Sequence, residues 1–248
     1  FRKLTGKLEH PKSKREKVAY EWMKLYMENL YRYSKFSVLI VDTKSPAFKR
    51  QYYKEYFHVY NRFTALAIKA MIKRFYKHHP KITLKIYSDG KDRKTSPNGE
   101  MIDNFDEYVP FKIAYDSFLD WLSNKDMPSI HFENPPLETI DSKEKSSNGE
   151  LIQLTDLLLG SVKQVISPAK KRAKVEVGRL MFDMLFRDDN CEKRKGEYFN
   201  YIHIWRFPDE EGKATNTFHC GMNRQLRRHQ KGTKISSSLK EKTYFHND

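Results

Sequence analysis

Hydrophobic positions along the chain follow two spacings, one typical of helices and one typical of strands. Segments 13–32, 106–122 and 149–166 repeat apolar residues every three or four positions, which predicts amphipathic helices. Segments 35–43 and 81–88 are short, apolar and rich in β-branched residues, which predicts strands. Because strands alternate with helices, the pattern predicts an α/β fold with helices on at least one face of the sheet.

The remaining segments predict a further long helix, a further strand and a tail. Ser45-Pro46 supplies an N-cap and a first-turn proline, which favour a helix running to about Tyr76. The aromatic residues of this helix either stack nucleic-acid bases or, as we favour, fill the core. Segment 198–207 predicts a strand, after which the chain turns polar and basic. We therefore expect a domain over residues 1–207 and a basic C-terminal tail over residues 208–248.

The charge balance adds a partner class to this picture. Lys and Arg number 47 against 32 Asp and Glu, so the formal net charge is +15. Such a charge attracts polyanions, which makes nucleic acid the leading partner, although a lysine-rich solvated surface has the same composition. The basic residues expected to contact nucleic acid are Lys163, Lys170, Lys171, Arg172, Arg227 and Arg228.

Cysteine content and hydropathy indicate the cellular compartment of the protein. The two cysteines, Cys191 and Cys220, indicate a reducing environment rather than a disulfide framework. The sequence contains no run approaching the roughly 18–20 apolar residues that span a bilayer. We therefore expect a cytoplasmic protein that does not enter a membrane.

The stretch "GELIQLTDLLLG", residues 149–160, places one carboxylate among leucines. At helical spacing, Gln153, Asp156, Gly160 and Lys163 share one polar stripe, and apolar residues cover most of the remaining surface. A helix of this kind is expected to be buried on most sides. Because burying an unpaired carboxylate costs several kcal/mol, Asp156 needs a cation, a hydrogen-bond donor or an open cleft beside it. It serves either in a functional site or as an inward-facing hydrogen-bonding residue.

A second carboxylate, Asp89, comes directly after the predicted strand 81–88 and precedes a glycine. Open α/β sheets usually bind their ligands at this end of a strand. The "SDGKD" turn adds Asp92 as a further oxygen ligand and Lys91 as a cation for phosphate. Mg²⁺ is bound through one or two carboxylates together with substrate phosphates and waters. The alternative is that Asp89-Gly90 is simply a turn.

Three segments together carry a resemblance to a known family. "IYSDGKD" at 86–92, "IDSKEKSSNGELIQLTDLLLGSV" at 140–162 and "FNYIHIWRF" at 199–207 resemble the bacterial and phage family known as domain of unknown function 3800. The resemblance covers most of residues 42–207 and is most specific at "QLTDLLLG". It implies a ribonuclease-H-like mixed sheet flanked by helices, with helical insertions and a basic C-terminal extension.

The resemblance also implies a metal site. Asp89 and Asp156 match acidic positions expected to hold two Mg²⁺ or Mn²⁺ ions and to act in catalysis, with Asp92 as a further ligand. Gln153 and Lys91 would orient metal-bound water or phosphate. The Asp-Glu-Ser-Gly segment of the family does not occur in this sequence. Since residues 1–4 resemble the part of the family that lies C-terminal to that segment, we expect further carboxylates to precede Phe1.

Three functions are consistent with these observations. The preferred one is a metal-dependent nuclease, or related phosphoryl-transfer enzyme, acting on DNA or RNA. The second is a non-catalytic module that binds nucleic acid or a partner on a ribonuclease-H-like scaffold. The third is a structural component of a defence or mobile-element complex, with the basic tail as a docking arm.

Overall fold

The part of the chain that the structure describes contains five α-helices and five strands. The computed structural model describes residues 13–90, 96–98, 100, 102–123, 127–166, 172–186, 201–208 and 215–216. The helices are α1 Lys14–Glu28, α2 Tyr56–Tyr76, α3 Phe105–Leu122, α4 Ser147–Ile166 and α5 Arg172–Phe186. The strands are β1 Phe36–Val41, β2 Lys81–Asp89, β3 Ser129–Ile140, β4 Ile202–Phe207 and β5 Thr215–Asn216.

The strands form two small sheets. Strands β1 and β4 pair in parallel, and β5 pairs antiparallel to β4. Strands β2 and β3 pair in parallel from Lys81 opposite Ser129 to Asp89 opposite Ile140. The register shifts between Leu84 and Ile86, where β3 contains two prolines. Because proline has no N–H to donate, it is accommodated at such an irregularity.

The α/β class predicted from the hydrophobic pattern is confirmed, with helices packed against small parallel sheets. The ribonuclease-H-like sheet remains a prediction, since the described strands form two separate sheets. The division into residues 1–207 and 208–248 also remains a prediction. Beyond Pro208, the structure describes Thr215–Asn216, which extend the first sheet.

Two groups of buried side chains form the core. The first cluster joins α1, α4 and α5 to β1 and β4, and it includes Met23, Tyr26, Leu158, Val162, Met181 and Ile204. The second cluster joins α2 and α3 to β2 and β3, and it includes Ile72, Ile86, Phe105, Val109, Ile113 and Leu137. Each fully buried side chain of this size contributes about 1.5–3 kcal/mol to folding.

The contacts of helix α2 show how the strands of the two sheets are directed relative to one another. Near its start, the Phe63 ring lies 4.9 Å from that of Phe207 at the end of β4. Near its end, the Phe75 ring lies 6.3 Å from that of His203 at the beginning of β4. Helix α2 therefore runs opposite to β4. Since β2 begins shortly after α2 ends and packs against it in the second cluster, β2 runs back in the direction of β1 and β4. The four long strands end on one side of the molecule, which we call the carboxyl edge.

The start of α2 differs from the prediction. A helix was expected from Ser45-Pro46, but residues 43–55 form turns and a short 3₁₀ segment. The Ser45 hydroxyl accepts a hydrogen bond from the Ala47 amide at 3.3 Å, which closes a local turn instead of opening the helix. Helix α2 begins only after Glu55, whose side chain forms a capping box with His58.

Candidate functional site at the carboxyl edge

The carboxyl edge collects the first turns of α2, α3 and α4. The unpaired N–H groups of a helix start carry partial positive charge, which favours anions. Acidic residues in the first turns of α3 and α4, Asp106, Glu107 and Glu150, offset part of this charge. The first turn of α2 contains no acidic residue. The carboxylate at this start is supplied by Glu55, whose side chain accepts a hydrogen bond from the His58 amide, so an acidic residue lies at each of the three helix starts.

Asp89 lies at the carboxyl edge as the last residue of β2. It pairs with Ile140 at the end of β3, and its Oδ1 atom is buried. The next residue, Gly90, packs closely on β3, since a Cβ there would lie 3.0 Å from Thr139 Cγ2. The prediction that β2 delivers a carboxylate and then a glycine at its carboxyl end is confirmed.

Gln153 ties the start of α4 to the same place. Its side-chain amide donates a hydrogen bond to the carbonyl oxygen of Ser142, a buried residue two positions after β3. Gly149 allows the turn before the helix to close, because a Cβ there would lie 2.5 Å from the Glu144 carbonyl oxygen. Helix α4 also contacts β2. The first turns of α4 are therefore held beside the strand ends that carry Asp89.

Asp156 lies one turn further along α4, and its side chain is exposed. The expectation that most of this helix is buried was wrong. Leu151 and Leu159 are exposed as well, whereas Leu158, Ser161, Val162 and Val165 form its buried face. A Cβ at Gly160 would meet nothing within 4 Å, so the row that contains Asp156 opens to solvent. Sequence periodicity could not reveal this, because it does not show how many sides of a helix are covered.

The donors available for a metal ion are carboxylate oxygens. Asp89 and Asp156 supply the hard oxygen ligands that Mg²⁺ and Mn²⁺ prefer, and two such ligands suffice when waters and substrate phosphates complete the shell. Within the described residues, no three His, Cys, Asp or Glu side chains are grouped to hold a metal. The predicted ligand Asp92 and the predicted phosphate-binding Lys91 lie outside the described residues.

Asp42, another strand-end carboxylate, has a structural role. Its Oδ1 accepts a hydrogen bond from the Lys44 amide at 3.1 Å, and its Oδ2 pairs with Arg206 at the end of β4. The hydrogen bond from Arg206 lowers the pKa of Asp42 below its usual range. Asp42 therefore caps the turn after its strand.

A basic surface beside the α2 start was missed by the sequence analysis. We call residues 49–56 the basic tyrosine loop. Tyr52 and Tyr56 are 70% and 78% exposed, and Lys49 Nζ lies 5.8 Å from the centre of the Tyr52 ring. The neighbouring cations Arg50 and Lys54 are also exposed. The alternation of basic residues with tyrosines in "KRQYYKEY" was a signal for this surface, but it was assigned to the interior of a helix.

Other aromatic residues of this region pack inward. The Tyr53 ring stacks on Phe48 at 5.5 Å and lies 6.1 Å from the ring of Phe63, which is buried. The core role favoured for this aromatic group is thus confirmed for Tyr53 and Phe63. The base-stacking role has candidates in the tyrosines that face outward.

The structure describes two of the six basic residues predicted to contact nucleic acid. Lys163 is exposed on α4, two turns beyond Asp156, and Arg172 begins α5. Lys170, Lys171, Arg227 and Arg228 lie outside the described residues. None of the described helices is long and apolar enough to cross a bilayer.

Comparison with known proteins identifies no relative of this chain. No family model, no curated protein and no solved structure matches the chain. The resemblance to the domain of unknown function 3800 family therefore remains a prediction.

Proposed function

We propose that this protein binds nucleic acid at the carboxyl edge and hydrolyses phosphodiester bonds there, as a metal-dependent nuclease or related phosphoryl-transfer enzyme. The observation that supports it most directly is the position of Asp89. Its carboxylate ends β2 beside the start of α4, which Gln153 ties to the end of β3. This is the place where open α/β folds bind ligands.

Asp89 and Asp156 would hold the metal in this proposal. A bound Mg²⁺ or Mn²⁺ supplies Lewis acidity toward phosphate and lowers the pKa of water. Asp89 is fixed by its strand, because its backbone belongs to the β2–β3 ladder. Asp156 is carried by a helix whose inner face is packed in the first cluster. Gln153 positions that helix through Ser142, so its effect on the reaction would be indirect.

The positive charge of the chain and the basic tyrosine loop support nucleic acid as the substrate. Lysine and arginine side chains bind phosphates without regard to sequence, and binding of this kind weakens as salt rises. Exposed tyrosines add stacking, worth about 1–3 kcal/mol per base. Tyr52 and Tyr56 stand beside Lys49, Arg50 and Lys54, so both kinds of contact are available on one loop.

The decisive experiment compares two carboxylate variants with a matched control. Asp89→Asn and Asp156→Asn are expected to lower Mg²⁺- or Mn²⁺-dependent cleavage of DNA or RNA oligonucleotides by about a hundredfold or more, since even partners of metal ligands are worth 10–100-fold. Glu150→Gln removes an exposed carboxylate from the same helix and should leave the rate within about twofold. Melting temperatures of all three variants should stay within a few degrees of the parent protein.

A non-catalytic binding module is the second candidate. It is favoured by the exposure of Asp156 and by the lack of a third metal-binding side chain near this pair among the described residues. In this case the parent protein would bind oligonucleotides in a salt-dependent manner, with or without EDTA, and would not cut them. That result would contradict the nuclease proposal while preserving the binding surface.

A further inference from the structure

Helix α3 has apolar side chains on two opposite faces. Phe105, Val109 and Ile113 fill the second cluster on the inner face. On the other side, at intervals of four, three and four residues, lies an exposed row that we call the α3 outer stripe. The stripe consists of Phe111, Tyr115, Phe118 and Leu122, which are 48–64% exposed. A helix that is hydrophobic on both faces is normally covered on both.

The rings of the outer stripe are already arranged as flat stacks. Phe111 and Tyr115 have centroids 5.9 Å apart and planes inclined by 16°. Phe118 stacks on the neighbouring Trp121 at 6.0 Å and 24°. These side chains therefore present a contiguous apolar patch rather than scattered single residues. Patches of this kind mark interaction sites.

The charges around the stripe argue against nucleic acid as its partner. Helix α3 carries four acidic residues and a single lysine. That lysine, Lys112, pairs with Asp116 at 2.7 Å. Asp120 is paired with Lys69 of α2 at 2.9 Å. Since Asp116 and Asp120 follow Ile113 at intervals of three and four residues, both pairs lie on the side of α3 that faces α2. The stripe itself contains no basic residue, although the chain as a whole carries a charge of +15.

We propose that the α3 outer stripe binds the same stripe of a second copy of this chain, forming a twofold-symmetric dimer. The row is self-complementary when the two helices run antiparallel. A twofold axis between Tyr115 and Phe118 then places Tyr115 opposite Phe118 of the partner subunit and Phe111 opposite Leu122 of the partner subunit. Symmetric pairing of one patch with itself is the commonest form of soluble oligomer, and antiparallel helix dipoles attract each other.

The exposed area is at the lower end of what such a dimer needs. Together with Leu119 and Trp121, the stripe comprises six side chains that are 41–64% exposed. At roughly 200 Å² for a large side chain, they offer about 600 Å² on each protomer. Stable interfaces bury about 800 Å² per partner and weaker ones somewhat less. Because an interface of this size is at the small end of specific complexes, we expect a weak dimer that is populated at roughly tens of micromolar. This inference does not depend on the nuclease proposal.

The test is the mass of the full chain in solution, measured by light scattering or sedimentation at a concentration well above tens of micromolar, where such a weak dimer is largely formed. The parent protein is expected at about twice the 29.6 kDa of one chain. Phe118→Lys and Phe111→Lys should each return it to a single chain with an unchanged circular dichroism spectrum. Phe118→Leu, which keeps the patch apolar, should remain dimeric.

Tyr33→Lys serves as the control, because Tyr33 is 89% exposed and lies outside α3, in the short 3₁₀ segment before β1. It should leave the dimer intact. A parent protein that is a single chain at this concentration would overturn the proposal. The partner of the stripe would then be a different protein. A dimer that persists in folded Phe118→Lys would overturn it as well, since the copies would then meet elsewhere.

Discussion

Helices α3 and α4 both begin at the carboxyl edge, and each packs one apolar face against a pair of parallel strands. Their outer faces differ. The outer face of α3 is a row of stacked rings that contains no basic residue. The outer face of α4 places Asp156, Gly160 and Lys163 among exposed leucines, with open space at Gly160. The first suits another protein surface, and the second leaves room for a polar ligand.

The inner contacts of the two helices differ in a related way. Helix α4 meets α5 so closely that a Cβ at Gly178 would lie 2.4 Å from Gln164 Cβ. Polar links join α2 to α3 and to the turn before it: Lys69 pairs with Asp120 at 2.9 Å, and the Asn61 amide donates to the Asp103 carbonyl oxygen at 2.5 Å. Steric contact thus fixes α4, whereas hydrogen bonds and ion pairs help fix α3. A helix held firmly is suited to the metal-binding role proposed for Asp156.

The largest expected effect is the difference in unfolding free energy between substitutions on the inner and outer faces of α3. Ile113→Ala removes a fully buried side chain from the second cluster and is expected to lower the free energy of unfolding by about 2–5 kcal/mol. Phe118→Ala on the outer face should change the stability of the single chain by less than about 0.5 kcal/mol. Urea titration at low protein concentration measures both. Equal losses would mean that the outer face is packed within one chain.

A smaller effect is expected where α4 meets α5. Gly178→Ala forces a methyl group into Gln164 and should cost about 1–3 kcal/mol of unfolding free energy. The matched change in the open row, Gly160→Ala, should instead stabilise the protein by about 0.5–1 kcal/mol, because alanine is the better helix former. The same titration distinguishes the two signs. A loss at Gly160 would show that something covers the outer face of α4.

The sequence predicted the helices and strands best where apolar spacing is regular. Strand β2 and its terminal Asp89 were found because a β-branched run ended in Asp-Gly. The start of α2 was misplaced because Ser45 closes a turn of its own, and a capping residue does not reveal how far its helix continues. The exposure of Asp156 depends on which elements cover α4. That is a property of distant residues, which local periodicity does not report.

The two strand pairs were beyond prediction for the same reason. Pairing of β1 with β4 joins residues more than 160 positions apart, such as Phe36 and Ile202. Parallel pairs of this kind form through long crossover connections, and the spacing within either strand does not specify its partner. The basic tyrosine loop was likewise visible in the sequence only as composition, because its position beside the α2 start depends on the fold.

The smallest expected effect concerns His203, which lies on β4 beside the end of α2. Burial, reinforced by the charge of Arg74, lowers the pKa of His203 from 6.5 to about 4. Its Nδ1 atom has no hydrogen-bond partner among the described residues. The folded protein therefore keeps this ring neutral, whereas the unfolded chain takes up a proton near pH 6.5. Stability should be level above that pH and should fall as the pH drops from 6.5 toward 4.

His203→Gln removes this titration and should give a flatter dependence of unfolding free energy on pH, whatever its stability at pH 7.5. The comparison belongs between pH 7.5 and 5, where most carboxylates remain ionised in both folded and unfolded chains. Since Asp42 loses its contribution only below its usual pKa, its pair with Arg206 does not enter this window. Identical slopes for parent and variant would mean that the proton is taken up elsewhere, and that the junction of α2 with β4 tolerates a charged ring.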